Sequence, residues 1–245
     1  MKEATVNGHT ERPLGNVLVL DLETAPDPMA LRLLAPRERT KGSSATHRIA
    51  VASMLKADEL TTGGWRVASV GSVRISDDLD EIDVIIAIDK AILAISESGG
   101  TLITYNGNRH DLVMIRMRAA AHMMFELQGV AALARIKHRD LMTESIAAGG
   151  QWFKLRDVAA GLGIPVAHEV ANAGIGTGSR SARKGEVDVA VTFLVFLHDL
   201  AHRRSEAGPV LEGWRALGDH IRRAGPLGEH LAQFRRHPLG RGRSD

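Results

Sequence analysis

The sequence predicts an α/β domain, a mixed β-sheet flanked by helices, with a helical extension at its C-terminal end. Three observations lead there. An apolar run from Val17 to Leu20 ends in carboxylates, two further β-patterned stretches follow it across a Gly-containing turn, and helix-period segments then alternate with one short β-rich stretch. A chain of 245 residues with 44% hydrophobic content can bury a real core, as one large domain or one domain plus an extension. The expected division is a lead-in over residues 1–14, a main domain over 15–205 and a basic helical extension over 206–245, with joints at Gly208-Pro209 and Gly225-Pro226.

Taken in order, the first strand is Val17-Leu18-Val19-Leu20-Asp21-Leu22-Glu23-Thr24. Pro26, Pro28 and Pro36 then mark a connection containing a short helix at Met29 to Leu34. Arg48 to Lys56 and Trp65 to Ile75, either side of Thr61-Thr62-Gly63-Gly64, read as a hairpin that continues an antiparallel sheet. Ile82, Ile85, Ile86, Ile88, Ala91, Ile92 and Ile95 recur at helical spacing between an acidic start and a Gly99-Gly100 stop, so Asp80 to Ser98 is a helix. Thr101 to Tyr105 is a fourth strand, and Asp111 to about Phe125 returns to helix. Leu155 to Leu162 is a short helix closed by Gly163 and Pro165, Ala171 to Ser181 a Gly-rich loop, Glu186 to Arg203 a long helix, and Leu211 to Arg223 the last. There is no internal repeat.

Composition removes several functions. Without cysteine there is no disulfide, thiol nucleophile or cysteine-ligated metal, so any metal needs oxygen or imidazole ligands. The first residues hold no apolar run of signal-peptide length, and no stretch reaches the roughly 18 apolar residues of a membrane span, so a cytoplasmic location is expected. A formal charge of +2 is not that of a polybasic coat. Arginines do gather after His198, either along a phosphate backbone or on a solvated helical surface.

The chemistry lies in the acids. Alternation along the first strand puts Asp21 and Glu23 on one face, with Cα atoms about 6.6 to 6.8 Å apart. Two like charges at the end of a buried strand destabilise it unless a cation lies between them, although an isolated Asp-x-Glu can equally mark where a strand meets water. Asp111 stands at a strand-to-helix corner and Asp188 in the late helix. Each alone is an N-cap or a solvent-facing acid; together with Asp21 and Glu23 they suit two hard divalent cations, Mg²⁺ or Mn²⁺.

Asp21-Leu22-Glu23-Thr24, Tyr105-Asn106-Gly107-Asn108-Arg109-His110-Asp111 and Glu186-Val187-Asp188 resemble, in that order, the three motifs of the DEDD superfamily of 3′-5′ exonucleases. The middle motif is similar to that of the family-B DNA polymerase proofreading group, where an Asn is followed four residues later by an aromatic and then Asp. Lys137 to Met142 and Leu155 to Pro165 also look like that group, so the resemblance runs from about Val17 to His198. It implies a ribonuclease H-like fold and two metal ions on Asp21, Glu23, Asp111 and Asp188. It also implies removal of nucleotides from the 3′ ends of single-stranded DNA or RNA, with Thr24, Tyr105, Asn106 and His110 towards the substrate. The metals would supply an acidified water and stabilise the leaving oxygen.

Two positions depart from the pattern. Where the superfamily carries a Tyr four residues before the last Asp, or a His five before it, this chain has Lys184 and Arg183. Lys184 would lie one helical turn from Asp188, and an ammonium with an ordinary pKa of about 10.4 grips a phosphate or neutralises an acid better than it accepts a proton. His110 replaces the usual aromatic and either restores a base or packs. The competing expectation is therefore a nucleic-acid-binding module that kept the fold and lost turnover. Other signals are weaker. His198-Asp199-Leu200-Ala201-His202 lacks the glutamate of a zinc hydrolase, Gly174 to Ser179 lacks the preceding strand of a phosphate loop, and Trp152-Phe153, which could wedge a nucleic-acid end, is expected in the core.

Overall fold

Alternate residues of the first strand supply two different cores, and the layers follow from that. In the computed structural model, which describes residues 14–39, 43–144, 152–166 and 178–238, strand β1 spans Asn16–Pro26. Val17 and Val19 pack into one apolar cluster, Leu18, Leu20 and Leu22 into another on the opposite face. A strand buried on both sides sits in the middle of its sheet.

Short helices α1 (Pro28–Leu33) and α2 (Pro36–Arg39) lead to the hairpin of β2 (His47–Glu59) and β3 (Trp65–Arg74). Helix α3 (Glu81–Glu97) starts at Asp80, whose carboxylate accepts from Ile82 N and Asp83 N while the Asp83 side chain accepts from Asp80 N, closing the helix end reciprocally. Strand β4 (Thr101–Thr104) follows, then α4 (Asp111–Ala121) and α5 (Gln128–Ala132). Next come β5 (Lys137–Asp140), α6 (Leu141–Glu144) and α7 (Leu155–Gly161). Helices α8 (Ser179–Arg204) and α9 (Gly208–Ala224) and a 3₁₀ stretch over Gly225–Phe234 complete the described chain.

The sheet runs β3-β2-β1-β4-β5. β2 is antiparallel to both neighbours, whereas β4 lies parallel to β1 and β5 parallel to β4. Helices α3 and α4 cover the Leu18 face, and α8 and α9 the Val17 face. This is the mixed-sheet α/β architecture expected, with a helical region at its C-terminal end. Trp214, Leu217, Ile221 and Phe234 join the same cluster as Phe193, Phe196 and Leu197 of α8, so the C-terminal helix shares the main core. Among the described residues no helix is long and apolar enough to cross a membrane.

Beyond the short helices α2, α5 and α6 and the 3₁₀ stretch, which the sequence did not announce, two differences from expectation have a physical reason. β5 was not anticipated because Lys-His-Arg-Asp carries no apolar alternation; β4 fixes it by backbone pairing, Leu102 opposite His138. Helix α8 begins at Ser179, not Glu186, because Gly185 acts as a close-packing position inside it rather than a break. The expected loop at Ala171 to Ser181 lies outside the described residues as far as 177.

Candidate functional site

β1 places Asp21 and Glu23 on the α8 side of the sheet, and α8 brings Asp188 down onto them. One carboxylate oxygen from each of Asp21, Glu23 and Asp188 lies within 4.8 Å of the others. The register between β1 and β2 shifts directly after Glu23, which pairs with Val51 while Thr24 pairs with Ile49. Such a bulge re-aims side chains where a strand leaves the sheet. Thr24 then turns towards β2, its hydroxyl 3.1 Å from His47 Nδ1.

Close approach of backbones sets the helix height. A Cβ at Gly185 would run into Ser53 of β2 and stand 3.7 Å from Asp21 Oδ2. The Ser53 hydroxyl lies 2.7 Å from that of Ser72, which donates to the Ala182 carbonyl at 3.2 Å. The N-terminal part of α8 therefore lies flat on β1, β2 and β3.

Asp111 arrives from the other side, as the first residue of α4. It is 3% exposed, and its Oδ1 accepts from Leu22 N at 3.3 Å and lies 3.2 Å from His110 Nδ1. Its oxygens fall outside the group of three, yet its charge acts on both Asp21 and Glu23. The loop delivering Asp111 is held by Asp140, fully buried at the end of β5. Asp140 accepts from Asn106 N at 2.8 Å, Asn108 N at 2.9 Å and Met142 N at 3.2 Å. Asn106 sits at φ 70°, a left-handed conformation that Asn tolerates better than most residues. The sequence places Asp140 in a supporting stretch without giving it this role.

Tyr105 points away from the acids, its hydroxyl donating to the Phe153 carbonyl at 2.7 Å. Burial, then the charges of Asp140 and Asp157, push its phenol up to about 12, so it stays protonated. The hydrogen bond to Asp111 holds His110 above the usual imidazole value against the opposing effect of burial, and favours the cation over the base. Trp152 and Phe153 are 52% and 40% exposed, contrary to the expected burial. Arg109 lies over the Trp152 ring at 3.3 Å from its centre, a cation–π contact that keeps the indole at the surface beside the loop leading into Asp111.

Lys184 is the cation of the site. Its ammonium donates to Glu23 Oε1 and, at 2.7 Å, to Asp188 Oδ2. Burial alone would favour the neutral amine, but Asp188, Asp21 and Glu23 together hold the group above the ordinary lysine value. Asp21 is pushed well up, by burial first and then by Asp188, Asp111 and Glu23, with Lys184 pulling the other way. Glu23 is raised by burial against the Lys184 bond and charge. Among the described residues no donor hydrogen-bonds the Asp21 carboxylate. An oxygen-only donor set with one unpartnered carboxylate fits a hard divalent cation such as Mg²⁺ or Mn²⁺.

Other candidate positions are structural. Asp199, 1% exposed, pairs with Arg139 at 2.7 Å and Arg203 at 2.8 Å. Tail arginines Arg204, Arg215, Arg222 and Arg235 pair with Glu59, Glu212, Asp219 and Glu229.

No protein-family model and no curated protein sequence matches the chain. Solved structures show a likeness. One is the family B DNA polymerase from the hyperthermophilic archaeon Pyrobaculum calidifontis, at 13% identity and TM-score 0.42, over 87% of this chain and 29% of that one. Another is E. coli exonuclease I in complex with a dT13 oligonucleotide, at 14% identity and TM-score 0.42, over 86% of this chain and 44% of that one. The zinc-ion-bound form of the same E. coli enzyme with single-stranded DNA has 14% identity and TM-score 0.42, over 85% and 43%. The chain spans less than half the length of each.

Proposed function

We propose that this chain is a metal-dependent 3′-5′ exonuclease that hydrolyses terminal phosphodiesters of single-stranded DNA or RNA. The observation that carries the reading is the convergence of Asp21, Glu23 and Asp188, with oxygens within 4.8 Å of one another, beside Asp111, which accepts from Leu22 N of β1. Like charges gathered at this spacing destabilise the fold unless cations hold them. Divalent ions held by these residues would supply an acidified water and stabilisation of charge on the leaving oxygen, a pair of ions in the fullest form of the reaction.

The chain's own residues do the rest. Asp21 and Asp188 orient metal from β1 and α8, Glu23 from the strand end, and Asp111 from the start of α4. Thr24 and the backbone turn at Asn106 flank the place for the terminal nucleotide, and His110, whose imidazole Asp111 shifts towards the cation, suits a phosphate. The exposed Trp152 and Phe153 offer apolar rings to an unpaired base, an interaction worth about 1–3 kcal/mol per base. Lys184 takes the position of the superfamily's Tyr, and its ammonium keeps its proton.

That last fact favours a second reading, a nucleic-acid-binding module with impaired turnover. Labelled single-stranded DNA and RNA, incubated with Mg²⁺ or Mn²⁺, separate the two. Stepwise shortening from the 3′ end, reduced by about 10²-fold or more in Asp188→Asn, is the expected result. Binding without shortening under every metal condition would establish the module instead.

A further inference from the structure

We propose that Lys184 is a tethered counter-ion that occupies the place of one divalent ion, so that the free protein binds a single ion, at Asp21, rather than two. The inference rests on the metal-dependent reading above and sharpens it.

The geometry argues it. The ammonium bonds Glu23 and Asp188 at once, and both carboxylates belong to the group whose oxygens lie within 4.8 Å. A divalent ion bridging Glu23 and Asp188 would need those same oxygens and would stand against a positive charge at close range. The ammonium already occupies the oxygens such an ion would need, so the two compete for the same place. Lys184 cannot easily leave, because it sits one turn before Asp188 on the same helix, α8, whose position Gly185 fixes against Ser53. Its side chain is 25% exposed, so its neighbours partly enclose it.

Asp21 is the opposite case. It has no hydrogen-bond donor among the described residues, and Glu23, Asp111 and Asp188 all act on it. One ion beside it answers the remaining repulsion. In this arrangement the lysine gives the metal-free protein a cation among its acids, and the single ion would be held at Asp21.

The test is Mn²⁺ binding to the full chain, followed by electron paramagnetic resonance of free Mn²⁺ and by equilibrium dialysis. The wild type is expected to bind one ion, Lys184→Arg one, and Lys184→Met two. In chelator, Lys184→Met should melt several degrees below the wild type and recover when Mn²⁺ is added. Two ions on the wild type, or one on Lys184→Met, would overturn the proposal while leaving the metal-dependent reading in place. No Mn²⁺ on any of the three would overturn both. If Lys184→Met does not fold, Lys184→Gln takes its place in the same measurements.

Discussion

Both carboxylate oxygens of Asp140 are spent on backbone N–H groups, two of them in the turn that precedes Asp111. Removing the side chain strands three donors in a buried place, where hydrogen bonds to a charged acceptor are worth about 1.5–3 kcal/mol each and do not add fully. Asp140→Ala is expected to cost about 3 kcal/mol in denaturant unfolding, a large loss for one residue. Nuclease activity should fall with it, because the loop that holds Asp111 loosens. An unchanged denaturation midpoint would show that the turn orders itself. The sequence does not disclose this role: Asp140 acts on residues 34 and 32 positions upstream, a separation that leaves no local pattern. The pairing of Asp21 with Glu23 was legible because strand alternation alone decides it. The approach of Lys184 to Asp188 was equally legible, since one helical turn sets it. That the same ammonium also bonds Glu23 depends on how α8 crosses β1, which is tertiary information.

Helix α8 is the element that turns scattered acids into a site, and its height over the sheet is set by one missing methyl group. A Cβ at Gly185 would meet both the Oγ and the Cβ of Ser53, the latter at 2.9 Å, so the helix must lift or the serine must move. Overpacking of this kind typically costs about 1–3 kcal/mol. Gly185→Ala should lower stability by that order and weaken Mn²⁺ binding, since Lys184 and Asp188 flank the shifted turn. The double variant Gly185→Ala/Ser53→Gly removes the clashing atoms and should recover part of both losses. Equal defects in single and double variants would mean that helix packing here does not depend on this contact. The helix begins at Ser179, seven residues before the expected Glu186, and Gly185, a residue that costs roughly 1 kcal/mol in a helix interior, lies inside it where close packing on Ser53 requires it. Strand β5 was not legible either, its four polar residues being ordered by a neighbour strand rather than by their own pattern.

At the scale of the molecule, the layer formed by α8, α9 and the 3₁₀ stretch carries three histidines that their surroundings shift towards the neutral form. Burial depresses His198, with the charge of His237 adding to it; burial also depresses His237 itself, and His220 with help from Arg223. His198 Nε2 is buried without a hydrogen-bond partner, and the His237 ring stands edge-on to Trp214 at 4.7 Å between centres. On the other side of the site His138, 2.9 Å from the Thr104 hydroxyl, is depressed by burial as well. For a histidine whose folded pKa lies below the unfolded value near about 6.5, folding binds the neutral form. Its contribution is complete above that value and is lost as pH falls through it. His110 runs the other way, raised by Asp111, so its contribution is present below the same pH and lost above it. The four depressed histidines lose their contribution on acidification from pH 7 towards pH 5, whereas His110, Asp21 and Glu23, all raised in the folded state, shift stability the other way at the site. Three of those four lie in the C-terminal layer, so hydrogen exchange at pH 5.5 should accelerate in Gly208–Phe234 before it does in α3, whose described packing contains none of these histidines. Uniform protection across both segments at that pH would show that the layers open together, and that the buried imidazoles do not set the acid limit of the fold.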